Sequence, residues 1–197
     1  VIEDLIDNLS TDDIFYDLGA NRGLYTCLAG DEIKDGKVHA FEPNPVAIGD
    51  LEQNIQRNNF YSRVTVHQKA VSDSGEEVPF VVRSDSTGNT LQTTTVDERD
   101  SETITVESVN LDDFIIENDL PRPTIMKIDI EGAEVDALKS METSLEDCRL
   151  IYCEVHEDVI EDTDSVLPAA LLRDRGFDEI NHIYERSDSH YIIRAQQ

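Results

Sequence analysis

Ile14-Phe15-Tyr16-Asp17-Leu18-Gly19-Ala20-Asn21-Arg22-Gly23-Leu24-Tyr25-Thr26-Cys27 decides how this chain is read. An apolar run, two spaced glycines and a second apolar run predict a strand, a tight turn and the opening of a helix. Glycine adopts backbone angles closed to other residues and lets another group come close to the main chain. A helix that opens at such a turn aims N–H groups and the positive end of its dipole at whatever lies there. The expectation is a nucleotide-like ligand. The dinucleotide fingerprint G-x-G-x-x-G does not fit, because the spacing here is Gly19-x-x-x-Gly23. An acid at the strand end followed by Asp17-x-Gly19-x-Asn21-x-Gly23 suits a ligand with a cationic centre and no pyrophosphate. The alternative is an ordinary strand–helix turn with Asp17 as a cap.

Outward from this turn, the hydrophobic pattern alternates between strand and helix. Lys37-Val38-His39-Ala40-Phe41 predicts a second strand, stopped by Pro43 and Pro45. Its end carries Glu42, about twenty residues past the turn, where doubly wound folds place an acid against ribose hydroxyls. A helix over 46–58 follows, with Ile48, Leu51 and Ile55 inward, then a third strand over 63–67. Residues 76–83 and 102–109 alternate apolar and polar, which predicts an antiparallel insertion with a loop over 84–91 near the site. Asn110 caps a helix over 111–117. Further strands are expected over 124–130 and 149–155, helices over 133–140 and 165–175, and a closing hairpin of 177–185 with 189–195. This is the pattern of an α/β sheet, in one domain covering 1–197.

Composition narrows the partners. There are 43 acidic against 16 basic residues, a net charge of −27. Such a field repels nucleic acid and anionic membrane surfaces. The acids are spread along the chain, and 39% hydrophobic residues in periodic runs exclude disorder. Together these predict a protein of a high-salt cytoplasm, where screening is strong and an acidic surface stays hydrated. An acidic protein that docks a basic partner is the alternative. Cys27, Cys148 and Cys153 sit in apolar stretches without ligand spacing, as buried residues of a reducing compartment do. No apolar run approaches membrane-spanning length, and no signal peptide is visible. Valine at position 1 carries the expectation that an N-terminal portion is missing.

Ligands of open α/β sheets sit beyond the carboxyl ends of the strands. That rule gathers Asp17, Glu42, Ala70, Asp129, Glu131, Glu154 and His156 along one edge. Strand alternation puts Lys127 with Asp129, and Glu154 with His156, on common faces. His156 is the strand-end residue that titrates nearest neutrality, which makes it the candidate base. Asp129 and Glu131 compete for that role or orient the acceptor. A metal bridging Asp129, Glu154 and His156 is chemically acceptable, but none is expected.

With these pieces placed, the chain resembles the FkbM-type family of S-adenosylmethionine-dependent methyltransferases. The matching stretches are Asp17-Leu-Gly-Ala-Asn-Arg-Gly-Leu-Tyr-Thr, Ala40-Phe-Glu-Pro-Asn-Pro, Ala70-Val-Ser-Asp, Val106-Glu-Ser-Val-Asn-Leu-Asp-Asp-Phe, Lys127-Ile-Asp-Ile-Glu-Gly-Ala-Glu134 and Glu154-Val-His156. The resemblance implies a Rossmann-like, mostly parallel seven-stranded sheet with an antiparallel edge strand and a β insertion around 76–109. It implies S-adenosylmethionine as methyl donor, S-adenosylhomocysteine as product, and O-methylation of a sugar, glycan or small-molecule hydroxyl. It assigns Asp17, Gly19, Ala20, Asn21, Gly23, Tyr25, Glu42, Pro43, Ala70 and Asp129 to the cofactor, with Ala70 nearest the adenine. The acceptor pocket has no matching motif. A cofactor-binding module that needs a partner or a missing N-terminal segment is the second reading. A nicotinamide-dependent dehydrogenase, the third, is disfavoured by the glycine spacing.

Overall fold

The computed structural model describes residues 1–83, 90–91, 101–156, 168–187 and 189–197. Its first part runs α1 (Ile2–Asn8), β1 (Ile14–Leu18), α2 (Leu24–Glu32), β2 (Lys37–Phe41), α3 (Pro45–Asn58) and β3 (Val64–His67). The insertion follows as β4 (Ala70–Val71), β5 (Glu77–Arg83), β6 (Thr90–Leu91) and β7 (Ser101–Val109). The last part is α4 (Leu111–Glu117), β8 (Ile125–Ile128), α5 (Glu134–Lys139), β9 (Leu150–His156), α6 (Pro168–Asp174), β10 (Glu179–Ser187) and β11 (His190–Gln196).

Strand alternation sorts the core into two layers. Phe15, Val38, Ala40, Ile125 and Leu150 face Leu5 of α1, Ala29 of α2 and Leu51 and Ile55 of α3. Tyr16, Phe41, Met126, Ile128 and Ile151 face α4, α5 and α6 through Leu111, Leu138 and Leu172. Burial of side chains such as Phe15 and Leu51, both at 0% exposure, contributes about 1.5–3 kcal/mol each. Polar ties close the far end of the sheet. The Tyr152 hydroxyl donates to Asp4 Oδ2 at 2.6 Å, and Arg194 Nε donates to the same oxygen at 3.1 Å.

The main sheet has seven strands in the order β10-β11-β9-β8-β1-β2-β3. β1, β2, β3, β8 and β9 run parallel. β11 is antiparallel to β9, and β10 pairs antiparallel with β11. The expected hairpin is therefore present, with its reversed strand one place in from the edge. The chain moves outward from β1 to β2 and β3, then returns to the other side of β1 as β8. That reversal opens a crevice between the carboxyl ends of β1 and β8.

The insertion forms a second sheet, β4-β7-β5-β6. Its antiparallel β5–β7 pair follows the expected alternation: Phe80 and Val106 are buried with Ala70, and Val78, Val82 and Ile104 pack around them. The parallel β4–β7 pairing was not foreseen and ties the insertion to the segment after β3. Residues 84–89 of the expected loop and 165–167 of the expected helix lie outside the described residues. The fourth parallel strand stops at Ile128 rather than at 130, because the chain turns left-handed at Glu131 (φ 52°) and Gly132 (φ 102°).

Candidate active site

The glycine turn is built to let protein, not ligand, come close. Gly19 has φ 77°, and a Cβ placed on it would lie 1.8 Å from the Asp129 carbonyl oxygen. Gly23 has φ 86°, and its Cβ would lie 2.4 Å from Leu51 Cδ1 on α3. The first glycine seals β1 against the loop after β8, and the second seats α2 on α3. Asn21 also takes a left-handed conformation, φ 49°, which asparagine tolerates. That is why asparagine serves in a row of small residues. Gly19 N and Ala20 N both donate to the Phe41 carbonyl at 3.0 Å, so the turn hangs from the end of β2.

Asp17 lies beneath this turn. It is fully buried, its Oδ2 accepts from the Thr26 hydroxyl at 2.6 Å, and its Oδ1 stands 3.5 Å from Lys127 Nζ. The contact with a cationic ligand expected of Asp17 is thus replaced by support from behind. The cation it meets is Lys127, its register partner on β8. Lys127 Nζ also donates to the Gly19 carbonyl at 3.0 Å and lies 3.2 Å from Asp129 Oδ2. Burial works against the ammonium charge, but Asp129 and Asp17 outweigh it and raise its pKa. Its Nζ stands 5.2 Å from the centroid of the Tyr25 ring.

Glu42 is held by main chain on both oxygens. Asn21 N donates to Oε2 and Asn44 N to Oε1, each at 2.8 Å. Burial raises its pKa, and the two N–H bonds work the other way. A carboxylate has about four acceptor directions, so Glu42 keeps capacity for ligand hydroxyls.

A cleft opens above the crevice. Of the residues expected at the cofactor, Gly19, Asn21, Glu42, Pro43, Ala70 and Asp129 line it. Phe41, Val71 and Phe80 add apolar lining with Ala70, and Glu131 lines the cleft too. Ala20, Gly23, Tyr25 and Asp17 are not part of this lining. Polar groups beside apolar lining suit a nucleoside-bearing ligand.

The ends of β8 and β9 carry a cluster of acids and imidazoles. His156 is buried, with Nδ1 3.0 Å from Glu134 Oε1 and Nε2 3.5 Å from Glu131 Oε2. Its ring centroid is 4.5 Å from that of His190, which bonds Glu154. Burial alone would lower the pKa of His156. The hydrogen bond and charge of Glu134, then the charges of Glu131 and Asp129, hold it up at about 9. An imidazolium has no lone pair for a substrate proton, and His156 is not in the cleft lining. The base role expected of it does not fit. Glu131 does line the cleft, and burial raises its pKa while His156 works against that rise.

Oxygen and nitrogen atoms of Asp129, Glu131 and His156 come within 4.8 Å of one another, as do those of Glu154, His156 and His190. A cation could be accommodated by either set, but His156 is shared and already balanced by Glu134. We therefore read the cluster as an ion-pair network. Lys127, Glu134 and His190 had no predicted role. A lysine inside an apolar strand was a visible sign, since buried charges need partners. His190 gave none, because only the β9–β11 register sets it opposite His156.

Comparisons with known proteins point to one family. The model of the methyltransferase FkbM domain matches residues 17–179. Hexuronic acid methyltransferase AglP of Haloferax volcanii is 26% identical over 159 residues, covering 81% of this chain and 62% of that protein. The 31-O-demethyl-FK506 methyltransferase FkbM of Streptomyces tacrolimicus is 30% identical, over 84% of this chain and 72% of that one. In shape, the solved FkbM methyltransferase of Methylobacillus flagellatus matches with a TM-score of 0.66 at 20% identity, over 96% of this chain and 44% of that chain. TrmK of M. capricolum, solved with S-adenosyl-homocysteine, matches with a TM-score of 0.57 at 9% identity, over 99% of this chain and 66% of that chain. At these identities the two solved structures speak for the fold alone. This chain spans less than two thirds of AglP and under half of the solved FkbM chain.

Proposed function

The chain belongs to the FkbM methyltransferase family, and on that premise we propose that it moves a methyl group from S-adenosylmethionine to an oxygen of a sugar, glycan or small-molecule hydroxyl. S-adenosylhomocysteine is the other product. The observation that carries this reading is the cleft at the β1–β8 crevice. Backbone-held Glu42 and the half-buried acid Glu131 both line it.

When bound, the cofactor supplies an electrophilic methyl group on a sulfonium that leaves as a neutral thioether. The residues do the rest. Glu42 would accept hydrogen bonds from the ribose hydroxyls with its remaining lone pairs. Ala70, Val71 and Phe80 would hold the adenine, and Asn21 and Asp129 would hold the polar amino-acid end. Glu131 would take the acceptor's proton during methyl transfer, and His156 would keep that carboxylate in place. The names of AglP and of the FK506 enzyme support an oxygen acceptor.

The test is calorimetry with S-adenosylmethionine and with NAD, followed by labelled-methyl transfer to hexuronic acids and neutral sugars. It is run in molar KCl, because the charge of −27 supports a high-salt interior. Binding of S-adenosylmethionine with transfer to a hydroxyl is expected. Binding of NAD alone would overturn the reading. Cofactor binding with no transfer to any acceptor would favour a module that needs a partner or further chain.

A further inference from the structure

Glu134 is fully buried, yet one of its oxygens, Oε2, has no hydrogen-bond partner among the described residues. All its bonds converge on Oε1, which accepts from Gly132 N and from His156 Nδ1, each at 3.0 Å. A buried carboxylate with an unsatisfied oxygen is a poor device for stability. What it joins is informative. Gly132 N belongs to the left-handed turn that presents Glu131, a non-glycine residue at φ 52°. His156 is the group whose other nitrogen faces the Glu131 carboxylate at 3.5 Å. Both the backbone and the side chain of Glu131 are therefore fixed through a single atom of Glu134.

We propose that Glu134 is a positioning residue. It acts through His156 and the Gly132 turn to hold the Glu131 carboxylate, with an imidazolium behind it, toward the acceptor side of the cleft. The groups that face His156 are Glu134, Glu131, Asp129, Glu154 and His190, and Glu134 alone bonds its Nδ1 among the described residues. The negative charge of Glu134 is what keeps the ring protonated near neutral pH, where Glu131 works. The catalytic consequence rests on the methyl-transfer reading; the state of the His156 ring does not.

Glu134→Gln separates the two. Glutamine keeps one carbonyl oxygen for both donors but removes the charge. In the full chain, NMR titration of the His156 ring, identified by its loss in His156→Asn, should show a pKa near 9 in the parent. A downward shift of one to two pH units is expected in Glu134→Gln, roughly the effect of removing a close opposite charge. S-adenosylmethionine affinity should stay within about twofold, since Glu134 does not line the cleft. Transfer by Glu134→Gln should fall by about tenfold at pH 8.5 and recover toward pH 6, a pH dependence that a merely structural defect would not produce. Glu134→Asp, which restores the charge, should return the high His156 pKa. If Glu134→Gln does not fold, Glu134→Asn, which also lacks the charge, takes its place with the same downward shift expected. An unshifted His156 titration, or a loss of turnover equal at every pH, would overturn the proposal. So would Mn²⁺ binding to the parent that restores Glu134→Gln, because the cluster would then be a metal site. If the titration shifts as expected and no variant transfers methyl groups, the fault lies with the methyl-transfer reading.

Discussion

The two halves of the strand-end edge hold their acids in opposite ways. At β1 and β2 the carboxylates grip local structure. Glu42 takes two backbone N–H groups, and Asp17 takes a hydroxyl and the Lys127 ammonium. At β8 and β9 the acids meet imidazoles, with Glu134 and Glu131 on His156 and Glu154 on His190. The first arrangement gives one fixed shape to a loop. The second is a network whose charge can change with pH. On the methyl-transfer reading, the first half would seat the constant cofactor and the second would face an acceptor that must lose a proton.

The largest expected effect would come from the one side chain that serves both halves. Lys127→Met leaves Asp17 and Asp129 without their shared cation and the Gly19 carbonyl without its donor. Breaking a buried pair by removing one partner costs about 3–5 kcal/mol. Denaturant unfolding should show that loss, together with loss of S-adenosylmethionine binding. A variant of parent stability would show that the halves are independent.

Glu42→Gln probes the rigid half. Glutamine offers one acceptor atom where two are used, so the Asn21 or the Asn44 N–H loses its bond. That costs about 1–3 kcal/mol and should weaken cofactor binding by roughly tenfold or more. Unchanged calorimetric affinity would mean that the turn is held by Phe41 and Gly19 without help from Glu42.

The smallest effect is a contrast in pH dependence. His39 and His67, on β2 and β3, lie 3.1 Å apart and are pushed down to about 4, first by burial and then by neighbouring positive charge. Their folded pKa lies below the unfolded value of 6.5, so the stability they contribute is present above pH 6.5 and is lost as pH falls through 4. His156 has the opposite sign. Its contribution is present below pH 6.5 and is lost as pH rises through about 9. Calorimetric melting temperatures should peak near neutrality. His156→Gln should flatten the alkaline limb and leave the acid limb in place. Flattening of both limbs would mean that the histidines of the two halves are coupled.

This contrast also explains what could be read in advance. The strands, the helix entries and the glycine turn follow from periodicity and breaker residues that are near one another in the chain. Of the cleft-lining residues, Gly19 and Asn21 came from the turn, Glu42 from the strand-end rule and Ala70 from the family resemblance. Asp17 was given the wrong neighbour, because its true partner, Lys127, arrives only when β1 and β8 pair. His156 was judged by its free titration. Two acids, one across the turn after β8 and one on α5, set its actual state. Residue type and spacing report local geometry well. They do not report the charge of a buried group, which depends on whatever distant segments bring to it.

The seam at Gly19 limits how such an enzyme can diversify. With the Asp129 carbonyl where a side chain would otherwise stand, the backbone at 129–130 and the cofactor turn share one wall. On the methyl-transfer reading, lengthening or re-routing the chain there would displace the cofactor turn along with the turn that carries Glu131. On the same reading, new acceptor preferences would come from single side-chain exchanges from Glu131 onward rather than from insertions at the seam. A library built to retarget this protein should keep Gly19, Asp129 and Ile130 fixed.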